Sequence, residues 1–369
     1  MINFAKFLLT PGQTTALSGL IETDWDYGRV VYFSATFTLA RQASPSGLAE
    51  ALPSTLLQQG AISAADIAIS ADWGFHLYNQ GSITNRLFVT LAESGQLADG
   101  RYAILGSAHA DELYNAGQIA GAVSLDEGND LLDGRSGSIL GVIEGGAGDD
   151  TMLSGKATET LLGGEGQDWL DGGDEADSLS GGAGDNRIVG GTGNDSVTSE
   201  DGDDVLAGDA GDDWLQSDRG NDSLSGGEGA DTLLGGDGDD TLAGGAGDDL
   251  LEAWDDRDLV WGGHGHDTIT AWGGGDRLFG DTGNDLIQGI GGAFTLSGGT
   301  GADTLSVWED WVADDLLNGG AGADSLSAGA GNDTLIGDGG ADTLDGGAGD
   351  DLILVGTTSP QDILSFFAL

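Results

Sequence analysis

Gly226-Gly-Glu-Gly-Ala-Asp-Thr-Leu-Leu234, Gly235-Gly-Asp-Gly-Asp-Asp-Thr-Leu-Ala243 and Gly244-Gly-Ala-Gly-Asp-Asp-Leu-Leu-Glu252 are three successive copies of a nine-residue pattern, Gly-Gly-x-Gly-x-Asp-x-apolar-x. The frame extends from them without insertion or deletion over Ser136 to Ser306 and resumes from Asp310 to Leu354. Each unit reads as a tight loop followed by a very short strand. Glycine at the first, second and fourth places permits positive φ angles that residues with a β-carbon resist. An aliphatic residue occupies the eighth place almost every time, as at Leu170, Leu179, Ile188, Val197, Leu206 and Leu215, and these side chains must form the core.

The sixth place decides the chemistry. A turn built this way aims its carbonyls inward, and Asp adds a carboxylate. Calcium takes six to eight hard oxygen ligands in a forgiving geometry. The units resemble the RTX nonapeptides of bacterial type I secreted proteins, a known calcium-binding repeat signature. That resemblance implies a parallel β-roll in which two nonads make one coil, with calcium held between loops one coil apart on each edge. It also implies carboxylate pairs one coil apart, such as Asp195 and Asp213, Asp222 and Asp240, or Asp267 and Asp285. The expected ligands are Asp130, Asp150, Asp168, Asp177, Asp195, Asp204, Asp213, Asp222, Asp231, Asp240, Asp249, Asp267, Asp276, Asp285, Asp303, Asp315, Asp324, Asp333, Asp342 and Asp351.

Composition supplies a folding mechanism. With 63 acidic against 11 basic residues, the formal net charge is −52, and a chain so charged repels itself into an extended coil without cations. Burying one Leu per nonad contributes only ~1.5–3 kcal/mol. Ordering the backbone costs ~1–2 kcal/mol for each of the nine residues. Calcium is the expected folding ligand, on the order of fifteen ions coupled to folding. The same charge argues against nucleic acid, whose phosphates it would repel, and against anionic lipid.

No stretch reaches eighteen consecutive apolar residues, so neither a transmembrane helix nor membrane insertion is expected. The start, Met1 to Pro11, makes a poor cleavable signal. The chain has no Cys, which suits export in the unfolded state. Its end, Gln361-Asp-Ile-Leu-Ser-Phe-Phe-Ala-Leu369, resembles an uncleaved type I secretion tail and could equally cap the last coil. A secreted, extracellular protein handled by the type I secretion apparatus is the expectation.

The departures from the repeat carry information of their own. On one edge, four loops degenerate: Ala253-Trp-Asp-Asp-Arg-Asp258, Ala271-Trp-Gly-Gly-Gly-Asp276, Gly289-Ile-Gly-Gly-Ala-Phe294 and Val307-Trp-Glu-Asp-Trp-Val312. Their second places, Trp254, Trp272, Ile290 and Trp308, are expected to form a column extended by Phe294, Trp311 and Val312. Either these residues fill space left by lost calcium, or they dock another copy of the chain or a surface glycan. A three-residue slip at Val307 to Glu309 is expected to bulge that edge.

The first 122 residues are a different material. Arg29 to Leu39, Asp66 to Ser70, Gly74 to Tyr78, Arg86 to Leu91 and Arg101 to Leu105 read as strands, and Pro53 to Gln59 as a short helix capped by Ser54. Zinc-protease and lipase motifs are absent. His76 reads better as structure than as catalyst, and Asp24, Asp26 and Asp72 beside tryptophans read better as caps than as an acid/base site. No catalytic residue is assigned.

The expected protein is all-β. A small β-rich, sandwich-like domain (1–122) precedes a long parallel β-roll solenoid of calcium-binding nonapeptide repeats (123–355), followed by a C-terminal cap and secretion signal (356–369). The expected role is a structural or adhesive component of the cell surface or matrix that folds, and self-assembles, on calcium. The alternative is a secreted polysaccharide-acting enzyme with its active site in the first domain.

Overall fold

Within each nonad the seventh, eighth and ninth residues run extended, and alternation sends the middle one inward. In Trp214–Gln216, for example, Leu215 is buried between two exposed neighbours. The computed structural model describes residues 102–308 and 312–356 and, outside them, only short strands. Every regular element among the described residues is a strand, and they fall into two compact units, Met1–Ile188 and Val189–Leu369. Solenoid coils of one kind build both, over residues 112 to 354.

In the first unit, Glu112–Asn115, Leu131–Asp133, Thr151–Leu153 and Trp169–Asp174 form one parallel ladder. Ala122–Glu127, Val142–Ala147, Thr160–Glu165 and Ser178–Ala183 form another. Leu113, Leu132, Met152 and Leu170 from the first and Val123, Ile143, Leu161 and Leu179 from the second are almost fully buried. The early coils are larger than the repeat demands. Asp111 and Asp130 are 19 residues apart, Asp130 and Asp150 are 20, and only from Asp150 to Asp168 does the period settle at 18. The surplus makes a third short ladder, Gln118–Ala120 beside Ser138–Leu140, with Ile119 and Ile139 turned inward.

Parallel pairing also reaches upstream of the nonapeptide frame. Phe75–Asn79 pairs with Glu112–Asn115, and Ser54–Gln58 pairs with Phe75–Asn79. Thr14–Ser18, Thr36–Ala40 and Ser54–Gln58 are antiparallel neighbours. The helix expected over Pro53 to Gln59 is therefore a strand. A segment so short gains little from a single helical turn, whereas Ser54–Gln58 gains ladder partners on both sides.

In the second unit one ladder runs from Val205–Ala210 through Leu259–His264 to Leu352–Leu354, and the other from Ser196–Thr198 through Thr268–Trp272 to Thr343–Asp345. The eighth-place residues from Val197 to Leu344 fill the space between them, none more than 1 % exposed. The period is 18 except where Phe294 is matched with Asp315 and Asp303 with Asp324, each 21 apart. Both ladders thus absorb the three-residue slip at Val307 to Glu309; residues 309–311 lie outside the described ones. Among the described residues no helix is long and apolar enough to cross a membrane.

Loop glycines are demanded by approach as well as by φ. Gly227 and Gly229 sit at φ 118° and 134°. A β-carbon on either would run into a carbonyl of the coil below, that of Asp209 or Gly211.

Candidate metal centres

Two opposed hydrogen-bond ladders hold the loops together. At the sixth place, Oδ1 of each Asp accepts the backbone N–H of the sixth residue one coil earlier. Asp195 donates to Asp213, Asp213 to Asp231, Asp231 to Asp249, and Asp249 to Asp267, at 2.8–2.9 Å. On the other edge Asp204 donates to Asp222, Asp222 to Asp240, Asp240 to Asp258 and Asp258 to Asp276, again at 2.8–2.9 Å. The fifth place runs the other way. The N–H of Ala230 reaches back to Asp212 Oδ1, that of Asp239 to Asn221 Oδ1, and that of Asn284 to His266 Nδ1. Adjacent side chains therefore cap the coil before and the coil after.

The sixth-place columns place the expected ligands as follows. Asp130, Asp150 and Asp168 are successive steps in the first unit, and Asp177 accepts from Glu159. In the second unit Asp285 and Asp303 continue one column, followed by Asp324 and Asp342. Asp315, Asp333 and Asp351 close the other. Four column members lie outside the expected set. Asp258 sits in a loop without glycines, Asp111 and Glu159 lie where the coil is irregular, and Asn186 replaces Asp. For Asp258 the available signal was its sixth-place position alone.

One oxygen of each carboxylate is spoken for; the other is the anomaly. Oδ2 of Asp130, Asp150, Asp168, Asp213, Asp231, Asp240, Asp249, Asp258, Asp267, Asp276, Asp285, Asp303, Asp324 and Asp333 is buried and receives no hydrogen bond. Native proteins rarely leave buried acceptors so, and a regular series of them calls for a cation. Where the loop opens on a glycine, as at Gly145, Gly163, Gly208, Gly226, Gly235, Gly244, Gly262, Gly280, Gly298 and Gly319, Oδ2 lies against that glycine. A β-carbon on Gly226 would run into Asp231 Oδ2 and lie 2.6 Å from the carbonyl oxygen of Gly244, and one on Gly244 would meet Asp249 Oδ2 and lie 2.7 Å from the Gly262 carbonyl.

Asn186 reveals which other oxygens converge there. Its Oδ1 takes the Asp168 N–H at 2.9 Å, and its Nδ2 donates to the carbonyls of Gly182 (3.2 Å) and Gly184 (2.8 Å). The second- and fourth-place carbonyls of that loop thus face the spot where Asp elsewhere puts Oδ2. With Asp, three acceptors meet and no donor is among them. No group of three or more acidic, His or Cys side chains stands together among the described residues, so backbone carbonyls must complete any cage. A hard, oxygen-only donor set of this kind fits calcium.

Burial pushes the column carboxyls up, neighbouring carboxylates add to the effect, and the Oδ1 hydrogen bonds oppose it. The result is about 8 at Asp130 and Asp258. It is about 7 at Asp150, Asp213, Asp240 and Asp267. Asp168, Asp249, Asp276, Asp324 and Asp333 stand at about 6. A bound cation reverses this by favouring the charged form.

The degenerate loops put their aromatic residues at the ends of neighbouring strands. Trp272 is in register with Ile290, and Ile290 with Trp308. Trp254 meets Trp272 edge to face, with centroids 6.5 Å apart. Trp254 and Trp308 are 50 % and 65 % exposed, and Val312 is also exposed. Phe294 does not extend this face. It is 2 % exposed, because the sixth place turns inward whatever residue fills it. Trp311 lies outside the described residues, as do Asp24, Asp26 and Asp72. The strand bearing His76 is in register with Thr55 and Glu112.

A family model for the RTX calcium-binding nonapeptide repeat (4 copies) matches residues 142–158, 155–188, 162–197, 180–215, 198–233, 234–269, 273–305 and 318–353. Trp272 and Trp308 fall between matches. No curated protein matches the chain. RTX repeats bind calcium and the roll they build is a structural, non-catalytic fold; with repeat, coil and carboxylate columns all in place, the chain belongs to the RTX calcium-binding nonapeptide repeat family.

Proposed function

We propose that the chain is a secreted structural or adhesive protein of the cell surface or matrix, built by calcium and assembling with further copies of itself. The observation that carries the reading is the series of buried Oδ2 atoms with no proton donor. The ligands are the expected sixth-place aspartates, Asp130 to Asp351, joined by Asp258, with loop carbonyls completing each cage. RTX proteins are typically secreted and associated with type I secretion, and a chain of net charge −52 suits passage as an extended coil that folds once extracellular calcium, roughly millimolar, is met.

Self-assembly follows from the same electrostatics. Two copies so charged repel until bound calcium cancels much of the charge. The column of Trp254, Trp272, Ile290 and Trp308, exposed at Trp254 and Trp308 and half-buried at Trp272 and Ile290, with Trp311 beside it in sequence, then supplies apolar area for contact. The division is an N-terminal β-rich domain (1–122), the roll (123–355) and a cap with export signal (356–369). The solenoid pairing of Glu112–Asn115 and Gln118–Ala120 with later coils already begins upstream of residue 123.

Light scattering and circular dichroism in chelator and then in millimolar calcium test this. An expanded chain with little strand signal in chelator, and a folded chain forming ordered oligomers in calcium, is expected. Equal strand content in both overturns the calcium reading. A calcium-folded monomer overturns assembly alone, and association only with added polysaccharide points to glycan attachment instead.

A further inference from the structure

Asn186 and Phe294 stand in the sixth place without a carboxylate, and each shows what replaces it. The Asn186 amide is oriented by its partners. Oδ1 faces a backbone N–H and Nδ2 faces two carbonyls, so a flipped amide would set donor against donor and acceptor against acceptor. Its N–H2 group engages the Gly182 and Gly184 carbonyls, the second- and fourth-place oxygens facing the spot where Asp elsewhere puts Oδ2. A neutral donor does the bridging here with no ion.

Phe294 reaches the same end by another route. Its backbone N–H follows the column rule, donating to Asp315 Oδ1 at 2.7 Å. Its ring lies over Gly289: a β-carbon there would come within 2.7 Å of ring carbons, whereas on Gly280 or Gly298 it would meet the carboxylate Oδ2 of Asp285 or Asp303. The phenyl group thus fills the space a ligand oxygen occupies in neighbouring coils. It also has no acceptor to offer Asp276, whose counterparts Asp240 and Asp258 each donate their N–H to the next column side chain. The intervening loop residues Ile290, Gly291, Gly292 and Ala293 carry no side-chain oxygen.

Resting on calcium in the carboxylate columns, we propose that Asn186 and Phe294 are ion-free steps, one in each unit, closed by an amide and by an aromatic ring, so that the calcium file is broken at both. The ions of each unit then bind in separate runs rather than one continuous series. The rest of each coil is unaffected, because the facing edge keeps its carboxylates, Asp177 in the first unit and Asp285 and Asp303 in the second.

The test counts calcium per folded chain by equilibrium dialysis and follows folding by circular dichroism across a calcium titration. Asn186→Asp, close to isosteric, should bind at least one ion more than wild type, and its folding should depend more steeply on calcium. Phe294→Leu, apolar and without ligand atoms, should keep the wild-type count, whereas Asp285→Asn on the facing edge should lose an ion. A folded Asn186→Asp chain with the wild-type count overturns the inference at Asn186. Loss of ions in Phe294→Leu to the extent seen in Asp285→Asn overturns it at Phe294. A wild-type chain that binds no calcium sinks the underlying reading and this inference with it.

Discussion

Asp240 donates its backbone N–H to Oδ1 of Asp258 at 2.8 Å, and the N–H of Asp258 runs on to Asp276 Oδ1 at 2.9 Å. Asp258 is thus a full member of a carboxylate column although its loop, Ala253-Trp-Asp-Asp-Arg, keeps no glycine of the repeat. Its role divides cleanly between two oxygens. Asp258→Asn retains the Oδ1 cap and replaces the buried Oδ2 with a donor, as Asn186 does naturally. It should lose about one bound ion while the calcium midpoint of folding shifts little. Asp258→Ala also strands the Asp240 N–H, a loss of ~1–3 kcal/mol, and should need more calcium to fold. Calcium binding and a calcium titration of folding check both variants. Equal behaviour of Asn and Ala would show that the cap contributes nothing.

What the sequence revealed and what it hid follow one physical line. Features repeated every nonad were legible. Leucine at the eighth place packs between the ladders, and aspartate at the sixth forms the columns in the second unit and the later coils of the first. What depends on position rather than residue type was hidden. Asp258 has no glycine in its loop to mark it, yet the column requires only an oxygen at the right place. Aromatic character alone sets Phe294 with the exposed tryptophans, yet its place turns inward. Asp111 lies out of frame where coils take 19 or 20 residues, and Glu159, in frame and 18 residues before Asp177, is not the aspartate of the pattern. The fifth place, from Asn129 to Asn332, looks variable in the repeat, although Asn and Asp recur there because they cap a neighbouring N–H.

The raised carboxyls give the calcium-free chain a pH dependence opposite to that of most acidic proteins. In the folded state these groups hold protons up to about 6 at Asp249, about 7 at Asp240 and about 8 at Asp258, against an ordinary value of 3.8. A group whose folded pKa is raised contributes stability below its unfolded pKa and loses that contribution as pH rises through the folded one. In chelator, strand signal should therefore grow as pH falls from 8 to 5, with neutralisation of self-repulsion acting in the same direction. In calcium the trend reverses, because protons compete for the ligand oxygens, and the calcium midpoint should rise as pH falls. Far-ultraviolet dichroism at fixed pH steps, with and without chelator, reads both. A chelated chain that loses strand signal on acidification would show that the buried carboxyls are not protonated in its folded form.

The aromatic column separates internal packing from contact with a second copy. Trp254 and Trp308 each leave about half or more of their surface in water, at 50 % and 65 % exposure. The ring pair within the column, Trp254 with Trp272, is worth ~0.5–1.5 kcal/mol beyond its buried area. Replacing Trp254, Trp272 and Trp308 together with Ser should therefore shift the calcium midpoint of folding only slightly. If the column is where copies meet, the same change should abolish calcium-dependent association, since exposed aromatics of this size dominate the contacts they enter. Sedimentation velocity in millimolar calcium measures the second effect and a calcium titration followed by dichroism the first. Association that survives in a folded triple variant places the contact elsewhere. A variant that no longer folds in calcium assigns the tryptophans to the roll itself, holding together the coils around Phe294 where the carboxylate column is broken.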